Sequence, residues 1–376
     1  MKRFSVLDYR AAIAANLLVF SVAIYAWAIL SLDENLYYLT VQEDEYLEWM
    51  SFWAFFAAGV IYVRRALRHG FVLSADWFTL GLAAFCLFVA FEEISWGQRI
   101  FSYRPPEYFL SENFQQELNL HNLVDTGLRK LAVRVVIFDY GVALPMLMLV
   151  PPVGRLAGRL GVVSPSPALM PAFLATGVMQ VTYPLKFTGE WIELMLGLCF
   201  LFAALAAMRR TDASTETDLR LPAIALAALS VMALGVVSSA VTSFQRDRDP
   251  GNVKAAYLEL EALKRDFESG RGRNRCGVHK RLYTFVEQYG QRRLLSGDFA
   301  QLVAQGLPEQ RASYLLDPWN YAYWIRDNCA SGERERVTFL YSFGPNQRRE
   351  STKWEVRGDD VAVFIRGGDA PEPKRP

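Results

Sequence analysis

Seven stretches of the chain stay apolar for roughly the ~20 residues that a helix needs to cross a bilayer core. They lie near Ala11–Ser31, Leu47–Val63, Trp77–Ile94, Leu131–Val150, Ala168–Tyr183, Phe187–Met208 and Leu221–Ser243. Lys2, Arg3 and Arg10 precede the first. Its apolar run is longer than the h-region of a signal peptide and no small-x-small cleavage site follows, so it reads as a retained helix. Beyond Ser243 the pattern changes. A polar break, Arg246-Asp247-Arg248-Asp249-Pro250-Gly251, comes first. Val253, Ala256, Tyr257, Leu260, Leu263 and Phe267 then recur at helical spacing and predict an amphipathic helix over Asn252–Glu268. Leu282–Leu307 reads as one or two short helices. Tyr321–Ile325, Val337–Phe343 and Val361–Ile365, rich in aromatic and β-branched residues, read as strands. The expected architecture is an α-helical transmembrane bundle of about seven spans over residues 1–243, followed by a small α+β soluble domain over residues 244–376.

Composition sharpens this division. The 376 residues are 52% hydrophobic and 21% charged, with a net charge of +1, which excludes a disordered chain, a collagenous repeat and a general nucleic-acid binder. The neutrality is a sum of opposites: residues 1–244 hold 17 Lys+Arg against 20 Asp+Glu, and residues 245–376 hold 23 against 19. With a cytoplasmic N-terminus, Lys2, Arg3, Arg10, Arg64, Arg65, Arg68, Arg155, Arg159, Arg209, Arg210 and Arg220 share the inner side. The outer connections hold only Arg99, Arg104, Arg129, Lys130 and Lys186. The chain then reads as a bacterial inner-membrane protein with its C-terminal domain in the periplasm. Cys86 and Cys199 fall inside expected spans, whereas Cys276 and Cys329 are the two cysteines of the soluble part. In an oxidising compartment that pair is a candidate disulfide; the alternative is two buried thiols.

Ionisable residues collect at the expected outer ends. Glu92 and Glu93 close the third span, and Glu92, Trp96 and Arg99 share a face at i, i+4, i+7 if the helix continues. Glu190 and Glu193 open the sixth. Glu117 and His121 form an i, i+4 pair if the loop between is helical, and its Tyr108, Phe109, Phe114, Leu118 and Leu123 suit a helix lying in the interface. Carboxylates at such a depth find partners or mark a pathway. Glu92, Glu93, His121, Glu190 and Glu193 are therefore candidates for catalytic acid/base or metal-ligating work in a pocket that opens outward. Structural ion pairs, Glu92–Arg99 and Glu117–His121, are the alternative. Asp139 lies deep in the fourth span with Arg134 about a turn before it, as an intramembrane ion pair or a proton relay. The run from Glu92 to Arg99 followed by Asn119-Leu120-His121-Asn122 resembles a segment of uncharacterised bacterial multi-span proteins, a resemblance that brings no activity with it.

In the C-terminal part, three motifs occur in order: Leu316-Asp317-Pro318-Trp319-Asn320-Tyr321-Ala322-Tyr323, Tyr341-Ser342-Phe343-Gly344-Pro345-Asn346 and Gly358-Asp359-Asp360-Val361. Together they resemble the C-terminal domain of the major pseudopilin of type II secretion systems, over roughly Leu221–Arg366. The resemblance implies a long N-terminal helix, half in the membrane and half amphipathic, then short helices and a small antiparallel sheet. It also implies a calcium site in the loop between the last strands, with Asp359 and Asp360 as ligands. Asn346 stands where that family usually has an acidic residue, and Arg348, Arg349 and Lys353 enter the loop. The family's cleaved basic leader, and the Glu that follows it, have no counterpart before the seventh span, where Arg220-Leu221-Pro222 stands instead. Incorporation into a pilus is therefore not expected.

No phosphate loop, nucleophile elbow or His cluster is present. Two functions follow from these features. One is a non-enzymatic envelope protein whose periplasmic domain contacts secretion or assembly proteins. The other is a membrane-embedded enzyme or transporter with an outward Glu/His pocket for a lipid-like substrate. The expected partners are the lipid bilayer and envelope proteins, with no nucleic acid. Arg271, Arg273, Arg275, Lys280, Arg281, Arg292 and Arg293 make either a basic contact surface or a solvated face.

Overall fold

A computed structural model describes residues 9–68, 73–98, 100–101, 103–113, 115–208, 221–245, 250–329 and 335–367. Lys2, Arg3, Arg99, Arg209, Arg210, Arg220 and the polar break at 246–249 lie outside the described residues. The chain forms two compact units, one from residues 1–97 and 119–241, the other from 98–118 and 242–376.

In chain order the helices are α1 (Tyr9–Leu32), α2 (Glu34–Thr40), α3 (Tyr46–Arg68), α4 (Leu73–Glu93) and α5 (Glu107–Glu112). Next come α6 (Thr126–Val135), which runs through a π-helical stretch at Val136–Ala143 into α7 (Leu144–Met148), then α8 (Pro151–Arg159), α9 (Met170–Thr182), α10 (Thr188–Met208) and α11 (Leu221–Gln245). All but α5 belong to the first unit, apart from the last residues of α11. Arg10–Leu32, Tyr46–Leu67, Thr126–Met148, Thr188–Met208 and Leu221–Thr242 are long and apolar enough to cross a membrane, and Pro167–Thr182 is a shorter apolar helix.

The sequence explains their limits. Asp33 caps α2 by accepting from the backbone N–H of Asn35 and Leu36, and Asp125 caps α6 through Gly127 and Leu128. The core centres on α10, whose Trp191, Phe200 and Phe202 are fully buried. Gly197 lets α10 approach α3 closely, since a Cβ there would lie 3.0 Å from that of Ala54. Tyr62 on α3 shares a hydroxyl contact of 3.1 Å with Tyr140, and the Tyr140 ring stacks on Phe200 at 5.1 Å. At one end of the unit Arg65 donates to the carbonyl of Ala207, near the end of α10, at 2.6 Å. At the other, Tyr25 and Tyr46 meet at 2.7 Å, and the Trp191 indole donates to Tyr37.

The expected Arg134–Asp139 pair does not form. Both side chains are exposed, and among the described residues no ion pair joins them. Five residues separate them, more than the three or four at which side chains meet along an α-helix, and a π-helical stretch begins between them.

The second unit contains α12 (Pro250–Glu268), β1 (Val278–Arg281), α13 (Leu282–Gln288), α14 (Asp298–Ala304), α15 (Glu309–Ser313), β2 (Trp324–Asn328), β3 (Val337–Ser342) and β4 (Val361–Arg366). The strands form one antiparallel sheet in the order β1-β2-β3-β4. One face packs on Ala256, Leu260, Leu263 and Phe267 of α12; Tyr257, expected in that stripe, is exposed. The other face carries Phe339, Tyr341, Phe343 and Ala362, covered by Trp354 and Val356 of the β3–β4 connection. Every residue of β3 is therefore buried, as for a strand enclosed on both faces.

Residues 98–118 join this unit through polar contacts. The Gln98 side chain accepts from the Leu118 N–H at 2.7 Å, and Gln116 donates to the Tyr314 carbonyl at 3.0 Å. Glu117 meets Arg281 at 3.6 Å with both side chains buried. The expected interfacial helix reduces to α5, and the segment around Glu117 is not helical, so the i, i+4 geometry of Glu117 with His121 is absent. Arg281 is likewise no part of an open basic surface.

Strand β2 begins at Trp324 rather than Tyr321 because Asp317 ties the preceding segment into a closed corner. Its carboxylate accepts from the N–H of Trp319 and Tyr321 and from the Ser342 hydroxyl, while Leu316 and Ala322 pair as an isolated bridge. Burial pushes Asp317 up to about 7, against the opposing pull of Ser342, the two backbone donors and Arg311. A carboxyl whose folded value lies above its unfolded one binds an extra proton in the native state, so its contribution to stability falls as pH rises from about 4 to 7. The Asp317→Asn variant should lose this slope over that window, as read by chemical denaturation at several pH values.

Cys276 and Cys329 form a disulfide with a Cα–Cα distance of 5.3 Å, joining the start of β1 to the end of β2. Replacing both with Ser should lower the stability of this unit by about 2–4 kcal/mol, measurable by urea unfolding. Peptide mapping without reductant should recover the two cysteines in one linked fragment.

Candidate functional site

Two acidic constellations stand out, one in each unit. The first is built at a single end of the helical unit, where α3 and α10 begin and α4 finishes. Helix α4 stops at Glu93, and Ser95 and Trp96 take positive φ values of 46° and 54°. Glu92 and Trp96 therefore do not continue along one helical face, and Arg99 lies outside the described residues. The turn instead brings the Trp96 indole back to Glu92 Oε1 at 2.6 Å. Glu92 Oε2 accepts from the backbone N–H of Leu120 at 2.7 Å and of His121 at 2.8 Å. The His121 Nδ1 lies 3.3 Å from the same oxygen. Glu92, not Glu117, is thus the partner of His121. It is 4% exposed, and both its oxygens are engaged, as expected for a carboxylate kept charged by local donors.

Glu93 faces a different set. The carboxylates of Glu193, Glu190, Glu48 and Glu92 all act on it electrostatically, and all five side chains are buried or half-buried. Glu190 and Glu193 lie in the first turn of α10, where Thr188 accepts from the Leu185 N–H at 3.0 Å. Tyr183 interacts with the same pair and with Arg129. Glu48, in the first turn of α3, was not among the candidates from sequence; its signal was its place one turn into an apolar helix beside Asp44 and Glu45. Among the described residues, no three ligating atoms of this cluster come within 4.8 Å of one another, so it is not a preformed cation cage.

The second constellation closes the connection between β3 and β4. Ligating oxygens of Glu350, Asp359 and Asp360 lie within 4.8 Å of one another. Asp360 accepts from the Ser351 N–H at 2.8 Å. Glu350 Oε2 accepts from the Asp359 N–H at 2.8 Å and from the Asn346 side-chain amide at 3.0 Å. Two glycines make the closure possible. Gly344 has φ 68° and Gly358 has φ 65°, and a Cβ would collide with the Asp359 carbonyl at the first and with the Glu350 carboxylate at the second. Glu350 is the third carboxylate of this group. Sequence reasoning missed it because it sits nine residues before Asp359, in a segment with no periodicity.

Three convergent carboxylates are hard oxygen donors suited to a calcium-like ion. Without one they crowd each other: burial and then the Glu350 carboxylate push Asp359 up to about 6, and burial pushes Asp360 up to about 7. Arg349 acts with Arg326 on His279 and Tyr341, and Lys353 lies over the Trp354 ring at 5.4 Å.

No family model, curated protein or solved structure matches this chain.

The two kinds of carboxylate should respond oppositely to substitution. Glu92→Ala strands two backbone N–H groups and an indole, and should lower thermal stability in detergent by about 2 kcal/mol or more. Glu93→Gln, Glu190→Gln and Glu193→Gln each remove one of several like charges, and should leave the melting temperature unchanged or raised.

Proposed function

We propose that this chain is a bacterial inner-membrane protein that crosses the bilayer seven times and presents a pseudopilin-like, calcium-binding interaction domain to the periplasm. Helices α4 and α9 join, as crossings in this reading, the five helices among the described residues that are long and apolar enough to span. Its support is polarity: Glu48, Glu92, Glu93, Glu190 and Glu193 lie at one end of the helical unit, while Arg64, Arg65, Arg155 and Arg159 lie toward the other. An excess of Arg at one end marks the cytoplasmic side. A disulfide within residues 242–376 fits the opposite, oxidising compartment.

The observation that carries the interaction role is the acid-closed connection between the last two strands of a small antiparallel sheet, which follows an apolar and then an amphipathic helix in the chain. That order is the one the pseudopilin resemblance implies, with Glu350 as the third carboxylate. Such a domain contacts other envelope proteins through its surface; a non-enzymatic role suits the absence of a nucleophile–base pair among the motifs. A periplasm-active reporter fused after Pro376 should be active, and an exclusively cytoplasmic signal would overturn the topology. Crosslinking in cells should recover an envelope protein through the C-terminal domain, and recovering none would overturn the interaction role.

A second reading draws on one observation, the gathering of Glu93, Glu48, Glu190 and Glu193 with Tyr183 and Arg129. It makes the outer end of the helical unit an acid/base or transport site for a lipid-like substrate. Its mark would be an activity abolished by Glu93→Gln at unchanged stability.

Calcium should raise the melting temperature of the full-length protein and magnesium should not, because three closely spaced carboxylates on a loop suit a larger cation of adaptable coordination. Glu350→Gln should abolish the shift. A scan of thermal unfolding against calcium concentration, with chelator as reference, decides it.

A further inference from the structure

The helix that runs from α6 through the π-helical stretch to α7 has two unlike sides. One is committed to α9: Ile137, Gly141, Pro145 and Met148 are buried, and Gly141 faces Phe173 so closely that a Cβ would lie 2.1 Å from its ring. The other side is open. Leu131, Ala132, Arg134, Val135 and Asp139 are all exposed along it.

Two of those exposed residues carry opposite charge. The apolar segment is Thr126–Met148, so Arg134 and Asp139 lie roughly 5 Å and 3 Å from its midpoint, on opposite sides of it, at 1.5 Å per residue. An ionised side chain that faces hydrocarbon at that depth is costly, and such residues face a bundle interior or pair with one another. Here neither holds among the described residues. Among the described residues, the side chains of Arg134 and Asp139 make no hydrogen bond or ion pair, with each other or with any neighbour.

We propose that this side of the helix is the interface with a second copy of the chain, related by a two-fold axis along the membrane normal, in which Arg134 of each copy pairs with Asp139 of the other. The inference rests on Thr126–Met148 crossing the bilayer. Charge complementarity selects the occupant. A two-fold interface brings residue i of one copy to residue j of the other and the reverse, so one acid and one base on a single helix satisfy each other twice. A foreign helix with one basic residue would leave Arg134 unpaired. The axial offset of five residues, about 7.5 Å, is one that a long guanidinium side chain can bridge. The small Ala132 and β-branched Val135 beside the charges let the two helices approach.

The test uses the full-length, fluorescently tagged protein at low density in liposomes, with subunits counted by single-molecule photobleaching. Wild type should bleach mostly in two steps. Arg134→Leu/Asp139→Leu, which removes no hydrogen bond or ion pair among the described residues, should fall to the one-step baseline, as should Arg134→Asp and Asp139→Arg alone. The reciprocal Arg134→Asp/Asp139→Arg variant should recover two-step bleaching, an outcome that a merely misfolded protein cannot give. One-step bleaching of wild type, or two-step bleaching that survives the double Leu change, overturns the interface. Thr126→Cys and Leu149→Cys, labelled with an impermeant thiol reagent, separate the causes. Opposite-side labelling with a monomeric wild type sinks the interface alone, whereas same-side labelling sinks the crossing and the interface together.

Discussion

Glu92 holds the chain where it leaves the helical unit and where it returns. Residues 98–118 depart from that unit and rejoin it at Asn119. The departing turn is fixed by the Trp96 indole on one carboxylate oxygen, and the returning strand of chain by the N–H groups of Leu120 and His121 on the other. One buried anion with three donors replaces the helix that would otherwise have to continue past Glu93. The whole excursion depends on that junction. Its far side is closed in the same manner, by Gln98 accepting from Leu118 and by Glu117 on Arg281.

The two acidic constellations differ in what balances their charge. Around Glu92 the donors are backbone and indole N–H groups, in place before any ligand arrives. Around Glu350, Asp359 and Asp360 the donors cover only part of the oxygens, and the carboxylates remain close enough to raise one another. The first arrangement makes a joint; the second leaves three carboxylates crowded together. Glu93 and its neighbours fall between the two, with carboxylates in electrostatic range of each other but without the convergence of a cage.

What could be read from the chain followed the range of the forces involved. The long helices and the amphipathic α12 were legible because apolar periodicity is a local signal, strongest over twenty residues. Strands β3 and β4 were legible for the same reason, from runs such as Val337-Thr338-Phe339-Leu340-Tyr341. Strand β1 was not: Val278-His279-Lys280-Arg281 alternates only once and becomes a strand because β2 supplies its partners. The pair Cys276–Cys329 could be named since no other cysteine competes in that half. Glu48, Glu350 and the Glu92–His121 contact were hidden because each depends on residues brought together by the fold. Asp139 was expected to find Arg134 about a turn away, but their separation of five residues exceeds the three or four at which side chains meet along a helix.

The discontinuous second unit has a consequence for synthesis. Its first piece, residues 98–118, is translated more than a hundred residues before its second, residues 242–376. At ordinary elongation rates that delay is on the order of ten seconds. During it Glu117 has no Arg281, and Gln116 has no Tyr314 carbonyl, to receive it. A ribosome product truncated after α11 would therefore display an unfinished docking segment, and the unit as a whole is assembled only once residues 242–376 have been made.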